Sequence, residues 1–467
     1  MATALNIWMN GELVGVWYHT RQRIPAFRYD ALWLDSPSRR ALSLSLPITA
    51  GNSEHRGEVV NNYFENLLPD NAAIRKRLSS RFQTKSTDAF DLLAAIGRDC
   101  AGAVQLLPEN MQPEGWNKIE SEPLNETQVE QILRATTSEV VLGQRQGDDR
   151  DFRISIAGAQ EKTALLRFGG IWRRPHGATP TTHILKLPLG MVGNMRADMT
   201  DSVENEWLCA QIVRELGLSV ARTDMASFGN QKVLVVERFD RRWLGITDGV
   251  QNGAGFTPPA SAWIARIPQE DMCQATGTAP TLKYEADGGP SMNQCLEILA
   301  GSEQADGDRT RFVLTQFAFW LLAATDGHAK NFSVYHRRGG GFGLTALYDV
   351  LSAWPILGEG PNLLSEHDAK LAMALRSKSA HYKLRDIRVR HWVALGQRCG
   401  TPDVWARIQQ MAYGVDAALD RVSSLLPATF PSKVWDAVRA GTKRHARKFL
   451  REAASIRAVR KSTPAGR

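Results

Sequence analysis

Six residues, Asp326-Gly327-His328-Ala329-Lys330-Asn331, followed by a hairpin pattern that ends at Asp349, constrain this chain more than any other feature. Residues 332–336 (FSVYH) read as a strand. Arg337-Arg338-Gly339-Gly340-Gly341 reads as a reversal, because glycine reaches the positive φ angles that a tight turn needs. Residues 342–347 (FGLTAL) read as the return strand. Asn331 lies nine residues before Gly340 and Asp349 nine after it, so antiparallel pairing is expected to set them side by side. An amide oxygen beside a carboxylate suits Mg²⁺, a hard cation that takes oxygen ligands and is commonly shared with substrate phosphates.

Asp326 precedes Asn331 by five residues, the spacing of base and metal-binding Asn in the D-x-x-x-x-N loop of protein kinases. Taken singly, Asp326-Gly327 is a common turn and Asp349 an ordinary strand-end residue. The order is what carries information: a long apolar pattern over 312–324, then the Asp, then the Asn opening a hairpin, then a second Asp closing it.

A length of 467 residues allows two or three domains, and 43% apolar with 23% charged residues is ordinary for a globular protein. The N-terminal residues carry polar breaks and an Asn10-Gly11 turn rather than a signal peptide's apolar core. The most apolar window, 312–324, is too short to span a bilayer. Five scattered cysteines fit neither a metal site nor a disulfide framework, and a cytoplasmic location is expected. Residues 433–467 hold eleven lysines and arginines against two acids, a local +9 that exceeds the whole chain's +8. Such a tail reads as a solvated helix end or an arm for an acidic partner.

Four segments are expected: an N-terminal subdomain over 1–145, a nucleotide-binding lobe over 146–260, a mainly helical lobe over 261–432 and the basic extension 433–467. The first holds strand patterns at 6–16 and 41–48 and helical ones at 59–68, 72–78 and 88–96. A polar stretch at 108–127 and an amphipathic helix close it. Residues 245–262, rich in Gly, Pro, Thr and Ser, read as a loop with too little apolar content to be core.

A nucleotide cradle is sought upstream. Ala157-Gly158-Ala159-Gln160-Glu161-Lys162 is a small-residue turn whose backbone N–H groups could approach phosphate oxygens closely. It is neither G-x-G-x-x-G nor a Walker loop. Lys186 sits inside the apolar strand pattern 182–188, where its charge needs a phosphate or a carboxylate, or else faces solvent from an edge. Asp201 and Glu204 have capping-box spacing at the start of a helix that Gly217 stops, and either Glu204 or Glu206 could pair with Lys186. The apolar strand 232–236 runs into Glu237-Arg238-Phe239, where a two-lobed kinase places the hinge that meets adenine.

With these pieces assembled, the chain resembles the HipA family of serine/threonine kinase toxins from bacterial type II toxin–antitoxin systems. The matching stretches are LSLSLP, FDLLAAIGRD, DFRISIAGAQEKTALL, TPTTHILKLP, VERFDRRW, RIPQEDMCQ, KYEADGGP, ATDGHAKNFSV and LYDVLSAWP, in order along most of the sequence. The resemblance implies an α+β, bilobal protein-kinase-like fold related to lipid kinases, with an added N-terminal α/β subdomain and a mainly helical C-terminal lobe. It implies ATP and Mg²⁺, a HipB-type DNA-binding antitoxin with operator DNA reached through that complex, and a protein substrate of the glutamyl-tRNA synthetase kind. By motif position, Asp326 would be the catalytic base, and Asn331 and Asp349 the Mg²⁺ ligands. Lys186 would hold the ATP phosphates and residues 157–162 would form the phosphate loop. Glu237, Arg238 and Phe239 would be the hinge. His328, Ala329, Lys330 and Tyr348 would line the nucleotide site, and Ser155 would be the autophosphorylation site. The long 245–262 loop and the basic extension depart from the family pattern. Two rivals remain: a small-molecule or lipid phosphotransferase using the same triad, and a DNA-associated corepressor whose kinase activity has lapsed and whose main role is binding.

Overall fold

A computed structural model describes residues 4–137, 155, 157–158, 160–193 and 196–462, with backbone alone from residue 456. The chain forms two compact units, one of Met1–Leu187, Thr223–Lys283 and Ser333–Thr345, the other of Pro188–Arg222, Tyr284–Phe332 and Ala346–Arg467. The expected segments are distributed differently. Residues 1–145 and most of 146–260 share the first unit, while the helix Ser202–Glu215 belongs to the second.

The first unit contains a five-stranded antiparallel sheet in the order His55–Arg56, Pro25–Tyr29, Glu12–His19, Ala4–Met9, Val104–Pro108. Asn10 and Gly11, both at positive φ, make the tight turn between Ala4–Met9 and Glu12–His19. The helices Glu58–Glu65 and Ala89–Ile96 pack one face of that sheet around Trp17, Phe27 and Phe64, with the Trp17 and Phe64 rings stacked at 3.9 Å.

A six-stranded antiparallel sheet follows: Thr223–Phe228, Gln231–Glu237, His183–Lys186, Lys162–Phe168, Ile171–Pro175, Ser121–Pro123. The amphipathic helix Glu126–Thr137 covers it through Val129 and Leu133, which meet Leu165, Leu185, Val233 and Val235.

Several expectations need correction here. Residues 41–48 are not a strand, because side chains take the hydrogen bonds a ladder would use. Leu42 N–H donates to the Tyr29 hydroxyl, and Leu44 N–H to the Glu270 carboxylate. Ser43 and Ser45 bond Glu270 and the Gln274 carbonyl, leaving one isolated bridge, Ser43 to Leu46. Residues 245–262 connect the paired strands Arg241–Leu244 and Trp263–Arg266. They are not wholly outside the core: Ile246 and Phe256 pack on Phe168, Trp243 and Ile264. The region beyond 263 is also less helical than expected, since Gln269–Asp271 joins the hairpin Ser333–His336/Phe342–Leu344 as a third strand.

The second unit is helical apart from the short hairpins Gly190–Val192/Ala197–Met199 and Lys370–Arg376/Ala380–Lys383. Its central helix, Ala305–Leu322, is buried continuously from Phe312 to Leu322. The helix Ser202–Glu215 starts at Asp201 without the expected capping box and ends before Gly217, whose φ is +86°. The basic extension is not a solvated helix end over most of its length. It is the helix Ser432–Ser462, which buries Val434, Val438, Ala446, Phe449 and Ala453. Three of its cations are tied within the unit: Lys443 to Asp416, Arg444 to Glu366, and Lys448 to the Arg385 carbonyl. Residues 463–467 lie outside the described residues.

All five cysteines are free and buried. Among the described residues no helix is long and apolar enough to cross a membrane.

Candidate active site

Asp326 is carried on a loop that leaves the central helix Ala305–Leu322 at Ala323, which is left-handed (φ +49°). Gly327 is required there. A Cβ at this position would lie 2.3 Å from the buried Phe319 ring, so only glycine lets the loop rest on the helix. The loop tightens as His328 N–H donates to the Asp326 carbonyl (2.8 Å) and Asn331 N–H to the His328 carbonyl (2.9 Å). These bonds hold Asp326 out, its side chain 63% exposed, while His328, Ala329, Lys330 and Asn331 are buried.

Asn331 and Asp349 do meet. Asn331 Nδ2 donates to Asp349 Oδ2 at 3.0 Å. The register that brings them together differs from a hairpin centred on Gly340. Val334 pairs with Leu344 and His336 with Phe342, around a turn at Arg338–Gly340 with Gly339 and Gly340 at positive φ. Continued outward, that register would set Asn331 opposite Leu347. The return strand instead stops at Leu344, short of the expected 347, because Leu347 bridges to Val220. Asp349 then swings back to Asn331 through a left-handed backbone (φ +61°), an unusual conformation of the kind that gathers at functional sites. Tyr348 braces the turn by donating its hydroxyl to the Lys330 carbonyl (2.8 Å).

The amide oxygen of Asn331 is buried and accepts no hydrogen bond. A buried polar atom left without a partner costs about 1–3 kcal/mol, so the pair Asn331/Asp349 fits a hard cation better than it fits a purely structural role.

The residues of the expected nucleotide cradle belong to the first unit. Lys162 and Lys186 are direct cross-strand partners in the six-stranded sheet, and Lys186 is buried. Like charges placed opposite one another on adjacent strands destabilise a sheet, so two lysines in register need carbonyls or anions beside them. Lys162 Nζ donates to the Ala157 carbonyl (2.8 Å), joining the two end residues of the expected phosphate loop. Gly158, at φ +114°, sits where other residues are strained. Glu161 pairs with Arg77 and the Gln160 amide donates to the Leu187 carbonyl, so both of these side chains serve the scaffold. Ala159 lies outside the described residues.

Of the expected hinge, Glu237 ends the strand Gln231–Glu237 and Phe239 follows in the connection. Arg238 has a structural side-chain role that the hinge expectation did not include. Its N–H donates to the Thr182 carbonyl, its carbonyl accepts from Arg241 N–H, and its guanidinium is buried in an ionic cluster. Arg238 Nη2 lies 2.7 Å from Asp240, Arg241 Nη2 2.8 Å from Asp99, and Arg266 Nε 3.3 Å from Asp99. Thr181 adds its hydroxyl and its N–H to Asp99. Burial alone would push the Asp99 carboxyl up, but Arg241, Arg238 and Arg266 outweigh it and hold the group well below the usual carboxylate range. Burial likewise pushes Arg266 down to about 10, with Asp99 opposing. Through its side chain, Arg238 therefore ties the end of the strand Gln231–Glu237 to the turn at 97–102.

Ser155 is fully buried. Its hydroxyl donates to the Leu67 carbonyl (2.8 Å) and its N–H to the Asp99 carbonyl (3.1 Å). Two features escaped sequence reasoning: this ionic cluster, and Tyr284, whose hydroxyl donates to Asp326 Oδ1. The Arg98-Asp99 and Asp240-Arg241-Arg242 runs carried the signal for the first, but nothing in spacing shows that they meet.

Comparison with known proteins identifies the family. Residues 154–419 match the HipA-like C-terminal domain and residues 5–107 the HipA N-terminal domain. The chain belongs to the HipA family. A Sinorhizobium fredii protein named as a candidate kinase, Y4mE, is 31% identical over 91% of this chain and 92% of its own. The serine/threonine-protein kinase toxin HipA of Shewanella oneidensis is 25% identical over 72% of this chain and 70% of its own. The solved complex of Shewanella oneidensis HipA with HipB and operator DNA contains a chain that superposes with a TM-score of 0.75 at 22% identity. The match covers 97% of this chain and 99% of that one. The HipA fold, protein-kinase-like with its N-terminal domain, is therefore the fold of this chain, as the sequence resemblance implied.

Proposed function

We propose that this HipA-family chain is an ATP- and Mg²⁺-dependent protein serine/threonine kinase, acting as the toxin of a toxin–antitoxin pair. The observation that carries the reading is the buried, unsatisfied amide oxygen of Asn331 beside the Asp349 carboxylate, five residues after the exposed Asp326. Asn331 Oδ1 and Asp349 would hold Mg²⁺, which when bound supplies charge neutralisation on the phosphates. Asp326 accepts the proton of the attacking serine hydroxyl. Lys162 and Lys186 offset the negative charge of the ATP phosphates, and Glu237 and Phe239 border the adenine. Mostly this is positioning and electrostatics, with little covalent work asked of the protein.

The proposed partners are a HipB-type antitoxin, operator DNA reached through that complex, and a protein substrate of the glutamyl-tRNA synthetase type. The names of the relatives support the kinase and antitoxin parts. The test is incubation with labelled ATP and a cell lysate, with and without Mg²⁺, followed by identification of the labelled protein. Mg²⁺-dependent label on an aminoacyl-tRNA synthetase is expected; an absence of transferred label would overturn the reading.

Ser155 is the proposed autophosphorylation site and off-switch. Buried with its hydroxyl on Leu67, it becomes an acceptor only when its segment leaves that position. A phosphoserine adds a charge of about −1.5 to −2. It cannot return to a fully buried position without a large desolvation cost, so the displaced segment would dismantle residues 157–162. Arg167 is a candidate partner outside; Arg153 lies outside the described residues. Mass spectrometry after Mg²⁺-ATP treatment should find phosphate on Ser155 in wild type and none in Asp326→Asn. Stoichiometrically phosphorylated protein retaining full ATP affinity would sink the switch.

The helix Ser432–Ser462 keeps Lys433, Arg439, Arg447 and Arg451 exposed. If these cations meet operator phosphates in the antitoxin complex, their joint replacement should flatten the slope of log K against log salt, by roughly one unit for each phosphate no longer neutralised. Sequence preference should hold, since phosphate contacts position rather than specify. Titration at several salt concentrations reads both, and an unchanged slope would remove the helix from the DNA interface.

A further inference from the structure

Tyr284 donates its phenolic O–H to Asp326 Oδ1, the carboxylate assigned above to proton abstraction. The tyrosine is not a loosely held surface side chain. Its carbonyl accepts from Asp287 N–H (3.1 Å) and Gly289 N–H (2.9 Å), a turn that Gly288 completes at φ +98°. The next residue, Glu285, is buried and anchors the segment to a neighbouring strand. One of its oxygens accepts Ala374 N–H (2.7 Å), and the other accepts Arg376 Nε (2.9 Å). The phenol ring stands edge-on to the buried His328 imidazole, with centroids 5.1 Å apart and planes at 83°. His328 Nε2 in turn lies 3.9 Å from Asp326 Oδ2, beyond hydrogen-bonding distance.

Asp326 has a need that this arrangement meets. Its side chain is 63% exposed, and the terminal torsion of an aspartate is broad and roughly two-fold. An unrestrained carboxylate on an exposed loop would sample many orientations, and a base that must meet one hydroxyl loses rate when it does so. A donor fixed on Oδ1 removes that freedom and leaves Oδ2 to receive a proton.

We propose that Tyr284 is a positioning residue for Asp326. It holds one carboxylate oxygen so that the other is presented to the acceptor hydroxyl. The inference rests on the phosphotransfer reading, but its geometric half can be measured without any activity.

The decisive variant is Tyr284→Phe, which removes the O–H and keeps the ring against His328. Phosphotransfer kcat should fall about 10- to 100-fold with KM for ATP and thermal midpoint unchanged. A matched fall in ATP affinity and midpoint would instead mark a merely structural residue and overturn the proposal, as would wild-type kcat. Phosphotyrosine at position 284 in wild-type protein treated with Mg²⁺-ATP would also overturn it, because the phenol would then be an acceptor. Independently of turnover, 3-fluorotyrosine placed at 284 should show a ¹⁹F resonance that moves in Asp326→Asn and stays put in the remote control Lys433→Ala. A resonance indifferent to Asp326→Asn would refute the contact even if the chain proved to be no kinase. Conversely, an inactive wild type with a responsive resonance would fault the phosphotransfer reading and leave the Tyr284–Asp326 contact standing.

Discussion

Asp326→Asn should reduce phosphotransfer by about 10³-fold or more while leaving the fold and ATP binding close to wild type. A positioned general base contributes roughly 10²- to 10⁴-fold, and the substitution removes the base and its charge together. Stability should scarcely change, because the Asp326 side chain is largely exposed and an amide is nearly isosteric with a carboxylate. Nucleotide binding should persist, because Lys162, Lys186, Asn331 and Asp349 are untouched. Single-turnover transfer from labelled ATP measures the first effect, and equilibrium binding of Mg²⁺-ATP the second. Near-wild-type turnover would remove Asp326 from the base role and return the segment to a surface turn. Asp349→Asn separates the two functions from the other side, since its loss should appear first as weaker Mg²⁺-dependent nucleotide binding.

The second large effect concerns stability. Asp99→Ala should destabilise the first unit by about 3–5 kcal/mol, the usual cost of breaking a buried ion pair by removing one partner. Asp99 is the common partner of Arg238, Arg241 and Arg266, and each of these side chains is 1–2% exposed. Without it, Arg238 and Arg241 keep only Asp240, and Arg266 loses the carboxylate it meets, all in a buried site. Denaturant unfolding of the variant should show a lower midpoint with a similar slope. The same cluster predicts acid sensitivity. Asp99 and Asp240 are both held below the ordinary carboxylate value in the folded protein. Their contribution is thus fully present above the unfolded value of about 3.9 and is lost as pH falls below it toward the folded values. Unfolding midpoints measured from pH 7 to pH 3 should decline in wild type, and less steeply in Asp99→Ala.

This cluster also gives the N-terminal domain a physical reason to travel with the six-stranded sheet. Gly102 N–H donates to Asp240 at 2.7 Å, Arg238 Nη2 to the Cys100 carbonyl at 2.7 Å, and Ser155 N–H to the Asp99 carbonyl. The turn after the helix Ala89–Ile96 therefore carries the end of the hinge strand and the backbone of the proposed phosphoacceptor together. A displacement of the Ser155 segment releases a hydrogen bond on the very residue that the three arginines share.

Local order was legible in the sequence by itself. The Asn10-Gly11 hairpin, the helices over 58–65 and 89–96, the buried helix ahead of Asp326 and the hairpin after it all rest on turn chemistry and periodicity, which act over a few residues. The motif order likewise singles out Asp326, Asn331 and Asp349. What the sequence could not carry was who meets whom across long separations. Residues 41–48 look like a strand by composition, but Glu270, more than two hundred residues away, takes their hydrogen bonds. The basic extension looks like a solvated helix end by charge, yet Val434, Val438, Phe449 and Ala453 form one apolar stripe that only a packed partner makes meaningful. Arg238 reads as a hinge residue from its place after a strand, and becomes a buried structural cation once Asp99 arrives from 139 positions earlier. The pairing of Asn331 with Asp349 survived a register different from the expected one, because Asp349 adopted a left-handed turn to reach it. Spacing constrains how far apart two groups can be along a chain. Only the tertiary structure decides which buried charges find each other, since each such contact is set by the desolvation it must offset and not by sequence distance.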